Sequence, residues 1–217
     1  MSGARSIRRA RAVESFRTAA EAIGRIEPGV AVFAVTRGQW SMIDAILAVL
    51  DQTGPARISV WTWTVAEYEV EGMQRLRADG RVTDGRLIVD AGVSRGQRRI
   101  SQIKDGSHKD VVRAWMDTFG PDSVRHVMNH AKIATVEGGG FKCLLRGSMN
   151  LNHNPRFEQF DMTEGGPDFD LVRQVEDDLP ILAPEAPGHE MNAACKLGEA
   201  WPADQLKLFG GFKTWAK

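Results

Sequence analysis

Short apolar, β-branched runs alternate with helix-length amphipathic segments through the first 120 residues, and this alternation predicts an α/β layer fold with mostly parallel strands. Val30 to Val35 is almost wholly apolar, as expected of a strand buried on both faces. Trp40 to Leu50 reads as a helix that stops at Thr53-Gly54-Pro55. Arg57 to Thr64 sets Ile58, Val60, Thr62 and Thr64 on one face and Trp61 and Trp63 on the other. Residues 65–79 read as a helix, Arg86 to Val89 as a strand and residues 108–119 as a helix that ends at Gly120-Pro121. Upstream, the spacing of Val13, Phe16, Ala20 and Ile23 predicts an amphipathic helix over residues 9–24.

The pattern changes after residue 120. Ser123 to Met128, Ala131 to Val136, Phe141 to Arg146 and Phe157 to Met162 are strand-like, with Glu137-Gly138-Gly139-Gly140 as a hairpin turn. That turn pairs Val136 with Phe141 and sets His130 opposite Gly147. From Gly165 onward the chain is rich in Pro and Gly, with an acidic helix expected near residues 169–179. The organisation read from this is a helical arm (residues 1–27), a central domain (28–163) and an extension (164–217) that packs on the domain or on a protein partner.

Lys plus Arg and Asp plus Glu number 28 each, so no net charge advertises a nucleic-acid or membrane partner. Cys143 and Cys195 lack a CxxC or Cys/His neighbour, which argues against a disulfide framework and a zinc site. The longest aliphatic run, Ala45 to Leu50, is far below the roughly 20 residues of a membrane span. The expected setting is the cytoplasm.

The informative stretch is His130-Ala131-Lys132, then Gly147-Ser148-Met149-Asn150, then Glu158. His130 and Lys132 are two apart, so on a strand they face the same side. The hairpin brings an imidazole, an ammonium, a hydroxyl and a carboxamide to its open end, and Gly147 is expected to leave room for a ligand. These groups suit a phosphodiester. Lys132 supplies charge and donors, Ser148 and Asn150 supply neutral donors, and a neutral His130 can attack phosphorus to form a covalent intermediate. Glu158 is expected on the ring's other nitrogen, orienting it. Positioned cations and donors can stabilise the developing charge, so neither a metal nor another cofactor is required.

His130-x-Lys132 with Gly147-Ser148-x-Asn150 and the later Glu158 resembles the signature of the phospholipase D superfamily, HxKx4D followed by GSxN. The order of elements over about residues 28–163 is similar to that of its small, single-motif bacterial nucleases. The signature's Asp falls on Glu137, and the interval from there to Gly147 is three residues longer than the pattern. The resemblance implies a phospholipase D-like sandwich and a metal-independent phosphodiesterase, with nucleic acid favoured over phospholipid as substrate. Members use two motifs, so a chain with one borrows the second from a symmetry mate. A homodimer is therefore implied, one His130 attacking while the other protonates the leaving group. The alternatives are a non-catalytic nucleic-acid-binding or assembly protein on the same fold, and a phospholipase.

Further residues carry two readings each. Trp63 either stacks a base or packs as core, as does Trp61. Arg98 and Arg99, with Arg95, Lys104 and Lys109, either meet a nucleic-acid backbone or form a solvated loop. The same holds for Arg5, Arg8, Arg9 and Arg11. His153 either touches substrate or sits in a solvated loop. His126 precedes His130 by four residues, but in a strand that spacing does not make a metal pair.

Overall fold

The β-branched runs form strands and the amphipathic segments between them form helices, in a computed structural model. It describes residues 9–14, 18–63, 65–90, 108–127, 129–151 and 155–179, with the backbone alone for residues 9–14, 108–110 and His126. Strands β1 (Arg9–Glu14), β2 (Val30–Thr36), β3 (Ala56–Thr62), β4 (Val82–Asp90), β5 (Val124–Val127), β6 (Ile133–Gly138), β7 (Phe141–Gly147) and β8 (Glu158–Glu164) make one sheet. Its order is β1-β2-β8-β7-β6-β3-β4-β5. The helices are α1 (Ala19–Ile23), α2 (Met42–Thr53), α3 (Glu67–Ala78), α4 (His108–Phe119) and α5 (Pro167–Asp178).

The protein is thus α/β, with a mixed sheet flanked by helices. Strands β6 and β8 run against the other six, so the sheet is mostly parallel by direction. By pairing it is not. The ladders β2–β8, β8–β7, β7–β6 and β6–β3 are antiparallel, and only β1–β2, β3–β4 and β4–β5 are parallel. Each reversed strand lies between two neighbours of opposite direction, so two reversals produce four antiparallel ladders.

The two faces differ in chemistry. One carries Val32, Ala34, Ile58, Val60, Leu87, Val89, Ala134, Val136, Cys143, Leu145, Phe160 and Met162, all buried in one core with the apolar sides of α1 to α4. By strand alternation and register the other carries Arg57, Arg86, Arg125, Lys142 and Arg146. The acidic α5 lies on that basic face. Lys142 pairs with Asp170 at 2.9 Å, Arg146 with Asp168 at 3.3 Å and Arg86 with Asp177 at 2.7 Å. The part of the extension spanning α5 therefore packs on its own sheet.

The helix expected over residues 9–24 is instead a strand and a five-residue helix. Arg9-Ala10-Arg11-Ala12-Val13 alternates with period two, and the free edge of β2 gives that alternation a parallel partner. The helix begins only after Thr18. Its Oγ1 accepts the Glu21 N–H and the Glu21 carboxylate accepts the Thr18 N–H, each at 3.1 Å, closing a capping box.

The hairpin register also differs from expectation. Gly139 (φ 57°) and Gly140 (φ 83°) make a two-residue turn with both residues left-handed, so Gly138 pairs with Phe141. Glu137 and Gly138 belong to the strand, not the turn. The shift is two residues, which preserves every face but leaves His130 beyond the ladder. The last contact at that end is Gly147 N–H to Lys132 O at 3.1 Å.

Burial raises the Cys143 thiol from 9.0 to about 12, and the residue is 0% exposed. Neutral thiol is the folded form, so its contribution to stability is complete below pH 9 and is lost as pH climbs toward 12. In a Cys195→Ser variant at pH 8, Cys143 is expected to resist a thiol-exchange reagent until denaturant unfolds the protein. Prompt labelling of the native protein would refute this.

Candidate active site

Five adjacent strand ends assemble the site, at the edge where β3, β7 and β2 finish and β6 and β8 begin. Asn129 fixes the segment that carries the histidine. Its buried amide nitrogen lies 3.0 Å from Thr62 O, 3.3 Å from Ile88 O and 3.3 Å from Ala131 O, while Oδ1 accepts the Ala131 N–H at 2.9 Å. Its own backbone N–H donates to Asp90 at 3.1 Å. One side chain therefore ties the ends of β3 and β4 to the two residues that flank His130. Asn129 is absent from the residues expected above; its signal in the sequence is an Asn, a residue that bonds its own neighbouring backbone, immediately before the His-x-Lys.

His130 is exposed and Lys132 is buried beside it. Lys132 Nζ donates to His130 O at 2.6 Å and lies 3.2 Å from His130 Nδ1. The Trp63 ring sits 5.5 Å from the imidazole at 59° and has Lys132 Nζ 5.9 Å from its centroid. Trp63 is therefore part of the site. Trp61 is not: its Nε1 donates to Glu176 on α5 at 2.8 Å.

Ser148 and Glu158 meet from β7 and β8. Ser148 Oγ donates to Glu158 Oε2 and accepts the Gln159 N–H at 2.9 Å, while Ser148 N–H donates to Gln159 O at 3.1 Å. Glu158 thus holds the serine hydroxyl, and the group facing His130 Nδ1 is the Lys132 ammonium. This corrects the expected Glu158–imidazole pairing; the longer hairpin register carries His130 past the end of the ladder, away from the β8 carboxylate. Met149 and Leu151 are buried on either side of Asn150 and anchor the segment, and Leu151 O accepts the Ile43 N–H of α2 at 3.4 Å. Asn150 Oδ1 is buried with no hydrogen-bond partner, an unsatisfied group that a bound ligand can complete.

Gly147 leaves no space for a ligand. A Cβ built there would lie 2.2 Å from Gln159 O, so the glycine is required by the close approach of β8. Gly147→Ala is expected to lower stability by about 1–3 kcal/mol, the usual range for overpacking, measured by denaturant unfolding. An unchanged midpoint would show that β8 yields freely. The open space lies on the neighbouring surface, a cleft of about 410 Å³ lined by Lys132, Arg146, Ser148, Gln159 and Asp161 among others. Arg146 adds a second cation to it, beyond those read from the sequence.

Glu137 lies at the far end of the hairpin, in register with Arg57 and Lys142. Arg98, Arg99 and His153 lie outside the described residues, as do Arg95, Lys104, Arg5, Arg8 and Cys195. Among the described residues no group of three His, Cys, Asp or Glu side chains converges as metal ligands do, and no helix is long and apolar enough to cross a membrane. Neither the family models nor the curated proteins searched contain a match to this chain.

Proposed function

We propose that this protein is a metal-independent phosphodiesterase of the nuclease class, working through a phosphohistidine in a homodimeric site on a phospholipase D-like sandwich. The observation that carries the reading is the gathering of His130, Lys132 and Trp63 and of Ser148 with Glu158 at one strand edge, with the buried and unpartnered Asn150 Oδ1 two residues beyond Ser148. An exposed nucleophile beside a buried ammonium and a serine held by a carboxylate is a set that binds and attacks an anionic diester.

In this mechanism Lys132, Ser148 and the Asn150 amide hold the nonbridging oxygens, the amide turned about its last torsion so that nitrogen donates. The incoming anion draws the Lys132 ammonium off Nδ1, which takes the ring proton and leaves the Nε2 lone pair free. Nε2 attacks phosphorus, forming an N–P bond as the P–O bond to one alcohol breaks. The departing oxygen takes a proton from His130 of the partner subunit. Water, deprotonated by that same partner imidazole, then attacks phosphorus. The N–P bond breaks, a phosphomonoester leaves and both rings return to their starting state.

The dimer follows from chemistry. The leaving oxygen needs an acid other than the imidazole bonded to phosphorus, and a twofold axis supplies a second copy of the same group. The test is hydrolysis of bis(p-nitrophenyl) phosphate and of a DNA oligonucleotide in EDTA. Turnover in chelator is the expected result. Strict dependence on an added divalent cation, or cleavage of neither substrate, would overturn the proposal.

A further inference from the structure

Phe157 is 71% exposed, the most exposed large apolar side chain among the described residues, and it stands next to Glu158 in the site. Thr36 pairs with Glu158 at the end of the β2–β8 ladder, which brings Arg37 opposite Phe157. The Arg37 guanidinium lies 5.6 Å from the Phe157 ring centroid. Its turn is fixed, with Arg37 N–H donating to Gln39 Oε1 at 2.6 Å and Gly38 N–H to Thr36 Oγ1 at 3.2 Å. A phenyl ring left in water at a site mouth, with a cation held over it, is a surface for stacking a planar group.

The opposite side of the site repeats the arrangement. Trp63 packs against His130 and has the Lys132 ammonium near its ring face. The site thus carries an aromatic–cation pair at each end, one of them built on Lys132 itself. Trp63 extends β3 and Phe157 precedes β8, so three strand spacings separate them, through β6 and β7. At about 4.8 Å each, the two strands that carry the rings stand roughly 14 Å apart. Successive bases in a duplex strand are about 3.4 Å apart along the axis. A base on each ring requires neighbours splayed far beyond that.

We infer that the substrate is single-stranded nucleic acid, bound with the two bases flanking the reacting phosphate turned apart, one on Trp63 and the other on Phe157 under Arg37. The inference rests on the phosphodiesterase reading and adds the strand class and a specificity residue, Phe157. A paired duplex cannot present its base faces to either ring. The choice of base is left open by stacking, since every base has a π-face.

The experiment measures binding of a fluorescein-labelled single-stranded DNA oligonucleotide to a His130→Asn background, by anisotropy in EDTA. The additional Phe157→Ala change is expected to weaken binding about tenfold, the scale of one lost stacked base, and Phe157→Trp to restore it. With an oligonucleotide of abasic sites, the Ala and Phe forms should bind alike. The matching blunt duplex should bind more weakly than the single strand and be indifferent to residue 157. Phe157 is exposed, so its replacement does not threaten the fold. Tight single-strand binding that is unchanged by Phe157→Ala, or equal loss on the abasic strand, overturns the stacking site while leaving the phosphodiesterase reading intact. Binding of neither strand form, with diester hydrolysis intact in the protein that retains His130, overturns nucleic acid as substrate and the inference with it.

Discussion

Replacing His130 by Asn is expected to reduce phosphodiester hydrolysis in EDTA by at least about 10³-fold, the scale of losing a covalent nucleophile, while circular dichroism and unfolding midpoint stay unchanged. The fold should tolerate the change because the ring is exposed and its segment is held by Asn129, not by the imidazole. Lys132 would lose its contact with Nδ1 yet keep the bond to the backbone carbonyl of residue 130. Activity that survives the substitution would remove the nucleophile from the mechanism. A companion change, Asn129→Ala, leaves His130 in place and removes the side chain that positions it. Lower kcat with chemistry still traceable to His130 is the outcome that separates positioning from catalysis.

Replacing Glu176 by Ala is expected to cost about 3–5 kcal/mol of stability, because it empties a buried hydrogen-bond network of its central acceptor and leaves the partly buried Arg173 without its counter-charge. Glu176 is 0% exposed on α5. Its carboxylate receives the Ser59 hydroxyl, the Trp61 indole N–H at 2.8 Å and an Arg173 N–H at 2.9 Å, with Arg86 at 3.5 Å. Ser59 in turn bonds Thr135 at 2.6 Å, so the carboxylate ties α5 to both β3 and β6. For a chain of this size the loss corresponds to a fall in Tm on the order of 10 °C. Glu176→Gln keeps the shape and part of the hydrogen bonding, and its loss should be smaller. The exposed pair Arg75–Glu71, at 3.4 Å on α3, is the control, and breaking it should cost under about 1 kcal/mol. Equal effects at the two places would show that Glu176 is no more than a surface charge.

Local pattern carried much of the architecture. The runs at β2, β3 and β4 and the helices between them show in the sequence because burial of one face forces a period that neighbouring residues share. The approach of the His-x-Lys segment to Ser148 was also legible, since the two flank a glycine-rich turn. What depended on distant partners was not. Arg9–Glu14 carries a weak two-residue alternation that becomes a strand only because β2 offers an edge. The hairpin register turned on Gly139 and Gly140 alone taking left-handed φ, where four residues had the composition of a turn.

The same reason explains the site residues that were misread or missed. Gly147 has the composition of an open position, yet its emptiness is filled by the carbonyl of Gln159, 12 residues further along the chain. Arg57, Arg86, Arg125, Lys142 and Arg146 form no cluster in sequence and become one basic face only when five strands align. The acidic run of α5 then has an intramolecular place to bind. Phe157 and Arg37 lie 120 residues apart and meet only through the β2–β8 ladder.

The proposed mechanism requires a covalent bond between His130 and phosphorus, and trapping that bond tests it most directly. The protein is mixed with a single-stranded oligonucleotide in EDTA, quenched within the first turnover into alkaline denaturant, where an N–P bond persists, and digested for mass spectrometry. The predicted result is a nucleotidyl adduct on the peptide that contains His130, absent from His130→Asn. Multiple-turnover hydrolysis with no adduct on that histidine at any quench time would contradict it.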